Sequence, residues 1–325
     1  SAHAHYTNVR HSMTARHHHY LSQCYLKGFT QGKAKKSKLT VIDLKEKKRF
    51  DTIPRNVGGI RDFNRIDVEG LHQNAVESAL ADFEGKAAGA LKRLDESADF
   101  TGETRELILN LLALIAVRSP EKREDMRNIE AQVIDRMLSL SLASKERWEE
   151  QEEEKRKDPE YESNFTYEEL KEFYDSKEYK IDLTTEHHIR NEMNQVDAIL
   201  PCLSGRNWTL IKSTDESGPF ITTDKPVSLT WDDPETIPAF YRASPGFGMS
   251  GTQLYFPVSK DMALLGEFDG EDKVVDGTKK LVAILNTGML HSVYKQIYSP
   301  KISFSFYSKS GDILNGNKII SEFNA

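Results

Sequence analysis

Residues 106–117 read ELILNLLALIAV and run directly into Arg118-Ser119-Pro120. Between Leu107 and Val117 the only polar residue is Asn110. A helix lying on a protein surface keeps a polar face, so a segment that is apolar all round is enclosed by other elements. Crossing a bilayer needs about 20 apolar residues, more than this run supplies. The stretch therefore predicts a buried helix at the centre of a globular domain. Pro120 disfavours helical geometry at Ser119, which places a boundary there and brings Arg118 to the edge of the core.

Upstream, residues 70–94 place Leu71, Ala75, Ala79, Leu80, Phe83, Ala87, Leu91 and Leu94 at helical spacing, with Glu77 and Glu84 seven apart on one face. Residues 39–44 and 49–54 predict a hairpin with a charged turn, and 57–59 (VGG) a flexible connection. A short helix is expected from Ser22, ended by Gly28. Residues 1–12 have no periodic pattern and are expected to be a disordered extension or a remnant of cloning. Downstream, helices are predicted from Pro120 to about residue 140, over the charge run 146–158, from the capping box Thr166–Glu169 to about Lys177, and over 185–200 up to Pro201. From residue 206 onward short β-branched and aromatic runs separated by Gly, Pro and Asp read as strands. They are interrupted by a helix at 278–291 and end with a strand pair at 302–307 and 318–320. Runs of helices followed by runs of strands indicate the α+β class. The expected layout is one domain over 13–325, helical at about 63–205 and β-rich at about 206–325, with a mainly antiparallel sheet.

The 325 residues carry a net charge of −7 with an uneven distribution. Residues 1–62 hold 13 Lys/Arg against 4 Asp/Glu, a balance of +9 that leaves −16 for the rest. A basic segment on an acidic body points to a polyanionic partner or to neutralisation within the assembly. Cys24 and Cys202 are the only cysteines and lie far apart, which suits a reducing compartment. The start of the chain lacks the apolar core of a signal peptide, so a cytoplasmic protein without membrane association is expected.

Several chemistries are absent from the sequence. It contains no HExxH, CxxC, Walker loop or GxSxG. The glycine-rich stretch 245–251 lacks the lysine and following helix of a phosphate cradle. The triplet His17-His18-His19 reads as core contacts more readily than as a metal cluster, and His187-His188 as exposed helical residues. Two carboxylates draw more interest: Glu84, set among apolar residues of its helix, and Asp224, at a strand end before Lys225-Pro226. Carboxylates near a core need partners, and Arg118 is available. One reading is a buried Glu–Arg pair plus an Asp capping its own turn. The other gathers His19, Glu84, Arg118 and Asp224 around one cleft.

The segment HHYLSQCYLKGF (18–29) resembles the opening motif of domain of unknown function family 4238. Arg118-Ser119-Pro120, FITTDKPV (220–227), FPVS (256–259), Asn286 and Tyr298-Ser299 are similar to that family's later blocks, so the likeness runs over about residues 16–300. Ser22 stands where the motif has proline and Thr223 where it has serine. The resemblance implies a microbial cytoplasmic domain of undefined activity. It also singles out His19, Glu84, Arg118, Asp224 and Asn286 as its polar motif members.

Together these readings lead to the expectation of a hydrolase for nucleic acid or a nucleotide, for example a nuclease serving as a toxin or phage-defence effector. His19, Glu84, Arg118 and Asp224 are the expected catalytic residues, with Glu84 and Asp224 also holding a divalent cation such as magnesium. Lys45, Lys47, Lys48, Arg49 and Asn286 are the expected substrate contacts, with nucleic acid as partner through the basic hairpin. The competing expectation is a non-catalytic interaction module with a buried His/Glu/Arg/Asp network.

Overall fold

In the computed structural model, which describes residues 16–162, 164–243 and 245–323, the apolar stretch forms a helix over Gly102–Val117. Every residue from Leu111 to Val117 is buried. The chain forms two compact units: residues up to Ser119 together with Ile189 onward, and Pro120–His188. The first unit opens with β1 (His17–His19), the single turn α1 (Gln23–Leu26), a hairpin of β2 (Leu39–Asp43) and β3 (Lys48–Thr52), and β4 (Gly59–Arg61). Then come α2 (Ala75–Ser97) and the central helix α3 (Gly102–Val117). The second unit contains α4 (Pro120–Ser141), α5 (Lys145–Lys155), α6 (Tyr167–Ser176) and the first turn of α7 (Thr185–Ser204). The rest of α7 belongs to the first unit, followed by β5 (Asn207–Lys212), β6 (Thr222–Thr223), β7 (Ser228–Trp231), β8 (Thr252–Pro257), β9 (Met262–Glu267) and β10 (Lys273–Asp276). The remaining elements are α8 (Lys279–Ser292), β11 (Gln296–Ser299), β12 (Ser305–Tyr307), β13 (Ile313–Asn315) and α9 (Ile319–Phe323). The fold is α+β.

In the first unit α2 packs on α3 with Ala87, Ala90 and Leu94 fully buried; the two alanines are small enough to let the helix backbones approach closely. The same core takes in Tyr25 and Leu26 of α1, Trp208 and Leu210 of β5, and Leu254 and Phe256 of β8. One sheet has the order β10-β5-β9-β8-β7, antiparallel except for the parallel β10–β5 pair. A second runs β3-β2-β11-β6, so the N-terminal hairpin shares a sheet with strands from the far end of the chain.

Several local expectations need correction. Residues 57–59 are not a flexible link: Gly59 begins β4, and the Gly58 carbonyl accepts from the amides of Tyr20 and Leu21. Gly28 does not end a helix. A Cβ there would stand 3.0 Å from that of Ser259, so glycine is needed where this turn meets the β8–β9 connection. Pro201 lies inside α7, because a proline in the last turn sacrifices one hydrogen bond where the helix is about to stop. Residues 318–320, expected as a strand, are helical, and β12 pairs with β13 instead. His188 is buried rather than exposed, and His187 pairs with Glu130 at 2.7 Å. The capping box of α6 forms as its sequence predicts, with Thr166 and Glu169 bonding reciprocally.

Two buried tyrosines in the first unit make a matched test of the core. The Tyr25 hydroxyl donates to the Pro257 carbonyl at 2.8 Å and meets Thr222 Oγ1 at 2.7 Å. The Tyr255 hydroxyl is buried without a partner among the described residues. An unsatisfied buried hydroxyl costs free energy, whereas a bonded one supports the fold. Tyr255→Phe should thus be neutral or stabilising by about 1 kcal/mol, and Tyr25→Phe should cost about 1–3 kcal/mol, as read from denaturant midpoints.

Candidate functional site

Strand alternation sends His17 and His19 to one face of β1 and His18 to the other. His18 is fully buried and its Nδ1 accepts from the Asn64 amide at 2.9 Å; the Asn64 side chain then donates to Glu77 at 2.9 Å. On the opposite face His19 Nε2 lies 3.2 Å from the Arg55 carbonyl and Nδ1 lies 3.4 Å from the Gln23 amide nitrogen. A carbonyl only accepts, so the proton sits on Nε2 and Nδ1 is left as an acceptor. Burial pushes the His19 pKa down, and the charge of His17 adds to that; the Arg55 carbonyl and Glu77 oppose it. Burial thus favours the neutral imidazole, with Nε2 facing the Arg55 carbonyl. The His17 ring stands edge-on to it at 5.0 Å. The ring of His17 also covers Gly59, where a Cβ would fall 2.4 Å from its Nε2.

One turn of chain further, Ser22 occupies the N-cap position of α1, but its hydroxyl does not cap the helix. It meets Cys24 Sγ at 2.9 Å and hydrogen-bonds Glu84, which projects from α2. Burial raises the Glu84 pKa above the ordinary carboxylate range. The bond from Ser22 and the charges of Arg118 and Lys27 pull it down, while Glu77, one face-repeat earlier on α2, pushes it up. Burial also pushes the Cys24 thiol up to about 11, so it is no nucleophile at neutral pH.

Arg118 ends the central helix where Pro120 requires it to end, and its guanidinium is buried. Its Nη2 donates to the His19 carbonyl at 3.3 Å, and Nε stands 3.8 Å from the carboxylate of Glu192 on α7. Arg118 thus forms an ion pair with Glu192, a residue without a sequence signal, and its charge acts on Glu84. His19, Ser22, Glu84 and Arg118 are linked through the Arg118 guanidinium, which bonds the His19 carbonyl and whose charge acts on Glu84, the carboxyl that Ser22 bonds. Gln23, Arg55, Glu77 and Glu192 adjoin them; of these only Glu77, seven residues before Glu84 on α2, carries a spacing signal in the sequence.

Asp224 and Asn286 stand elsewhere. Asp224 Oδ1 accepts from the Tyr294 amide at 2.9 Å, and Oδ2 accepts from those of Lys295 at 2.7 Å and Gln296 at 3.0 Å. Burial raises its pKa and these amides oppose the rise. With both oxygens committed to one turn, Asp224 clamps that turn, and we assign it no part in holding a cation with Glu84. Its charge acts on Tyr20, which hydrogen-bonds Tyr298. Asn286, expected at the substrate, is fully buried: Oδ1 accepts from Ile221, and Nδ2 donates to the carbonyls of Pro219 and Ser305. Its amide joins three backbone groups inside the fold, so burial separates it from solvent. Among the described residues no group of three or more His, Cys, Asp or Glu is arranged to hold a metal ion.

The hairpin forms as predicted, with Lys45, Lys47, Lys48 and Arg49 exposed at its tip. Lys45 lies over the exposed ring of Tyr294 at 3.5 Å, and Lys48 pairs with Glu46. Lys295 joins this patch and bridges Asp43 and Glu46. Among the described residues no helix is long and apolar enough to cross a membrane.

No curated protein and no solved structure matches the chain. A family model described as a protein of unknown function matches residues 17–302, from the first histidine of β1 to just beyond β11. That span takes in β1, Ser22, Glu84, Arg118, Glu192 and the Asp224 turn, and the chain belongs to the DUF4238 family.

Proposed function

We propose that the first unit carries a hydrolytic site for a phosphodiester or nucleotide, with Glu84 as general acid and His19 as general base. The observation that carries this reading is the opposed tuning of the two groups: burial lifts the Glu84 carboxyl and lowers the His19 imidazole. An acid and a base whose pKa values are moved toward each other are suited to donate and accept a proton at neutral pH. Glu84 would protonate the leaving oxygen and His19 would take the proton of the attacking water. Arg118 is a positioning residue, holding the strand of His19 against α7. The exposed cations of the β2–β3 tip, with Tyr294 as a stacking surface, would bind an anionic strand. A nuclease of the toxin or phage-defence kind would combine these parts.

The second reading, a non-catalytic module with a buried polar network, is favoured by the full engagement of His18, Asp224 and Asn286 in internal bonds. Lys45→Glu/Lys47→Glu/Lys48→Glu separates the partner classes. If the tip binds nucleic acid, the triple variant should weaken binding of a single-stranded oligonucleotide by about tenfold or more at low salt and flatten the slope of log affinity against log salt, read by fluorescence anisotropy. Unchanged anisotropy curves would mean that the hairpin is not the nucleic-acid contact.

A further inference from the structure

The site does not end at Glu84. Glu84, Ala88, Leu91 and Asp95 follow one another at helical intervals on one face of α2, and the last three line a cavity of about 430 Å³. Cys24, whose sulfur meets Ser22 and whose titration feels Glu84, lines it too, so the cavity begins where the Glu84 cluster stops. Its size falls within the roughly 300–1,000 Å³ of small-molecule sites. The wall opposite α2 is the β8–β9 connection, fixed by the Lys260 amide donating to Gly28 at 2.9 Å and the Lys260 ammonium donating to the Thr30 carbonyl at 3.2 Å.

Three chemical features meet there. Leu91, Leu94, Val258 and Met262 supply an apolar surface. Asp261 is a half-buried carboxylate whose pKa is raised by burial and to which no donor is hydrogen-bonded among the described residues. A carboxylate in that position accepts two neighbouring N–H groups at once. The rim carries lysines: Lys27 is exposed, and Lys33, paired with Asp95 at 2.7 Å, is 85% exposed along its side chain. A ligand matching all three has a flat apolar face, an edge with adjacent N–H donors and an anionic tail. A nucleoside phosphate with a guanine-type base combines them.

We propose that this cavity is the base pocket of the Glu84 site and takes a guanine nucleotide, with Asp261 reading the base edge, the apolar wall covering its face and Lys27 and Lys33 facing the phosphate. This rests on the hydrolytic reading above for what happens at Glu84, but the binding itself stands on the cavity.

Isothermal titration of the full chain with guanosine 5′-monophosphate, adenosine 5′-monophosphate and inorganic phosphate tests it. The guanine nucleotide should bind at least about tenfold more tightly than the adenine one, since a carboxylate cannot pair with an edge that presents an acceptor beside its donor. Asp261→Asn should remove that preference. Leu91→Trp, which fills the cavity without touching a charge, should abolish binding of both nucleotides if Asp261→Asn fails to fold. Equal affinities, binding unaffected by both substitutions, or heat from phosphate alone would overturn the proposal. If hydrolysis of an oligonucleotide is found without base preference, the pocket falls and the hydrolytic reading stands. If guanine binding is found with no turnover of any nucleotide or strand, the pocket stands and the hydrolytic reading falls.

Discussion

Glu84→Gln is expected to lower turnover of a nucleic-acid or nucleotide substrate by about 10²–10⁴-fold, the usual contribution of a positioned acid or base, while the protein stays folded. The same substitution should raise the thermal midpoint at neutral pH. An acid whose folded pKa lies above its unfolded one holds its proton more tightly when folded. Its contribution to stability is present at low pH and is lost as pH rises from the unfolded pKa through the raised folded one. Glutamine keeps the shape and the bond to Ser22 but cannot ionise, so the variant should lose that downward slope. His19 runs the other way, because burial lowers its pKa. Its contribution is present at neutral pH and is lost as pH falls through the unfolded pKa toward the lowered folded one. A Glu84→Gln protein that melts lower than the wild type at pH 7 would show an ion-paired carboxylate and favour the network reading. Midpoints collected by differential scanning fluorimetry across pH 4–9 separate the two outcomes.

Arg206→Met should destabilise the first unit by about 3–5 kcal/mol, measured by equilibrium denaturation. Arg206 is 1% exposed, and among the described residues no carboxylate forms an ion pair with it. Its Nη1 donates to the carbonyls of Thr252 at 2.9 Å and Gly266 at 3.0 Å, and Nη2 to that of Phe247 and to Thr252 Oγ1, both at 2.8 Å. The guanidinium also stacks over Phe268 at 4.2 Å. Methionine fills the volume and removes a buried charge, which helps, but it leaves three carbonyls without donors at about 1–3 kcal/mol each. Lysine cannot supply the planar fork, so Arg206→Lys should recover only part of the loss. If Arg206→Met proves as stable as the wild type, desolvation of the guanidinium outweighs its hydrogen bonds and the anchor assigned here is wrong.

What could be read from the sequence followed from patterns that act locally. The apolar run at 106–117, the stop at Pro120, the capping box at Thr166 and the charged hairpin are each decided within a few residues, and each appears as read. The pairing of β11 with β2 joins residues some 250 apart in the chain and leaves no local mark. The same holds for the site. His19, Glu84 and Arg118 were legible as polar groups set against apolar neighbours, but which carboxylate would meet the guanidinium was not, and Glu192 takes that place. Asp224 and Asn286 drew notice for the same reason and turned out to satisfy backbone groups. A polar residue in an apolar setting signals burial with a partner. Whether the partner is a backbone amide or a substrate is decided by chain that lies far away.

The central claim is that Glu84 is a proton-holding acid rather than half of a buried salt bridge. Carbon-13 NMR titration of the Glu84 side-chain carboxyl, assigned by its absence from the Glu84→Gln spectrum, measures this directly. The account predicts a midpoint above the ordinary glutamate value of about 4.3. A midpoint at or below that value, as a carboxylate paired with Arg118 would give, would contradict it.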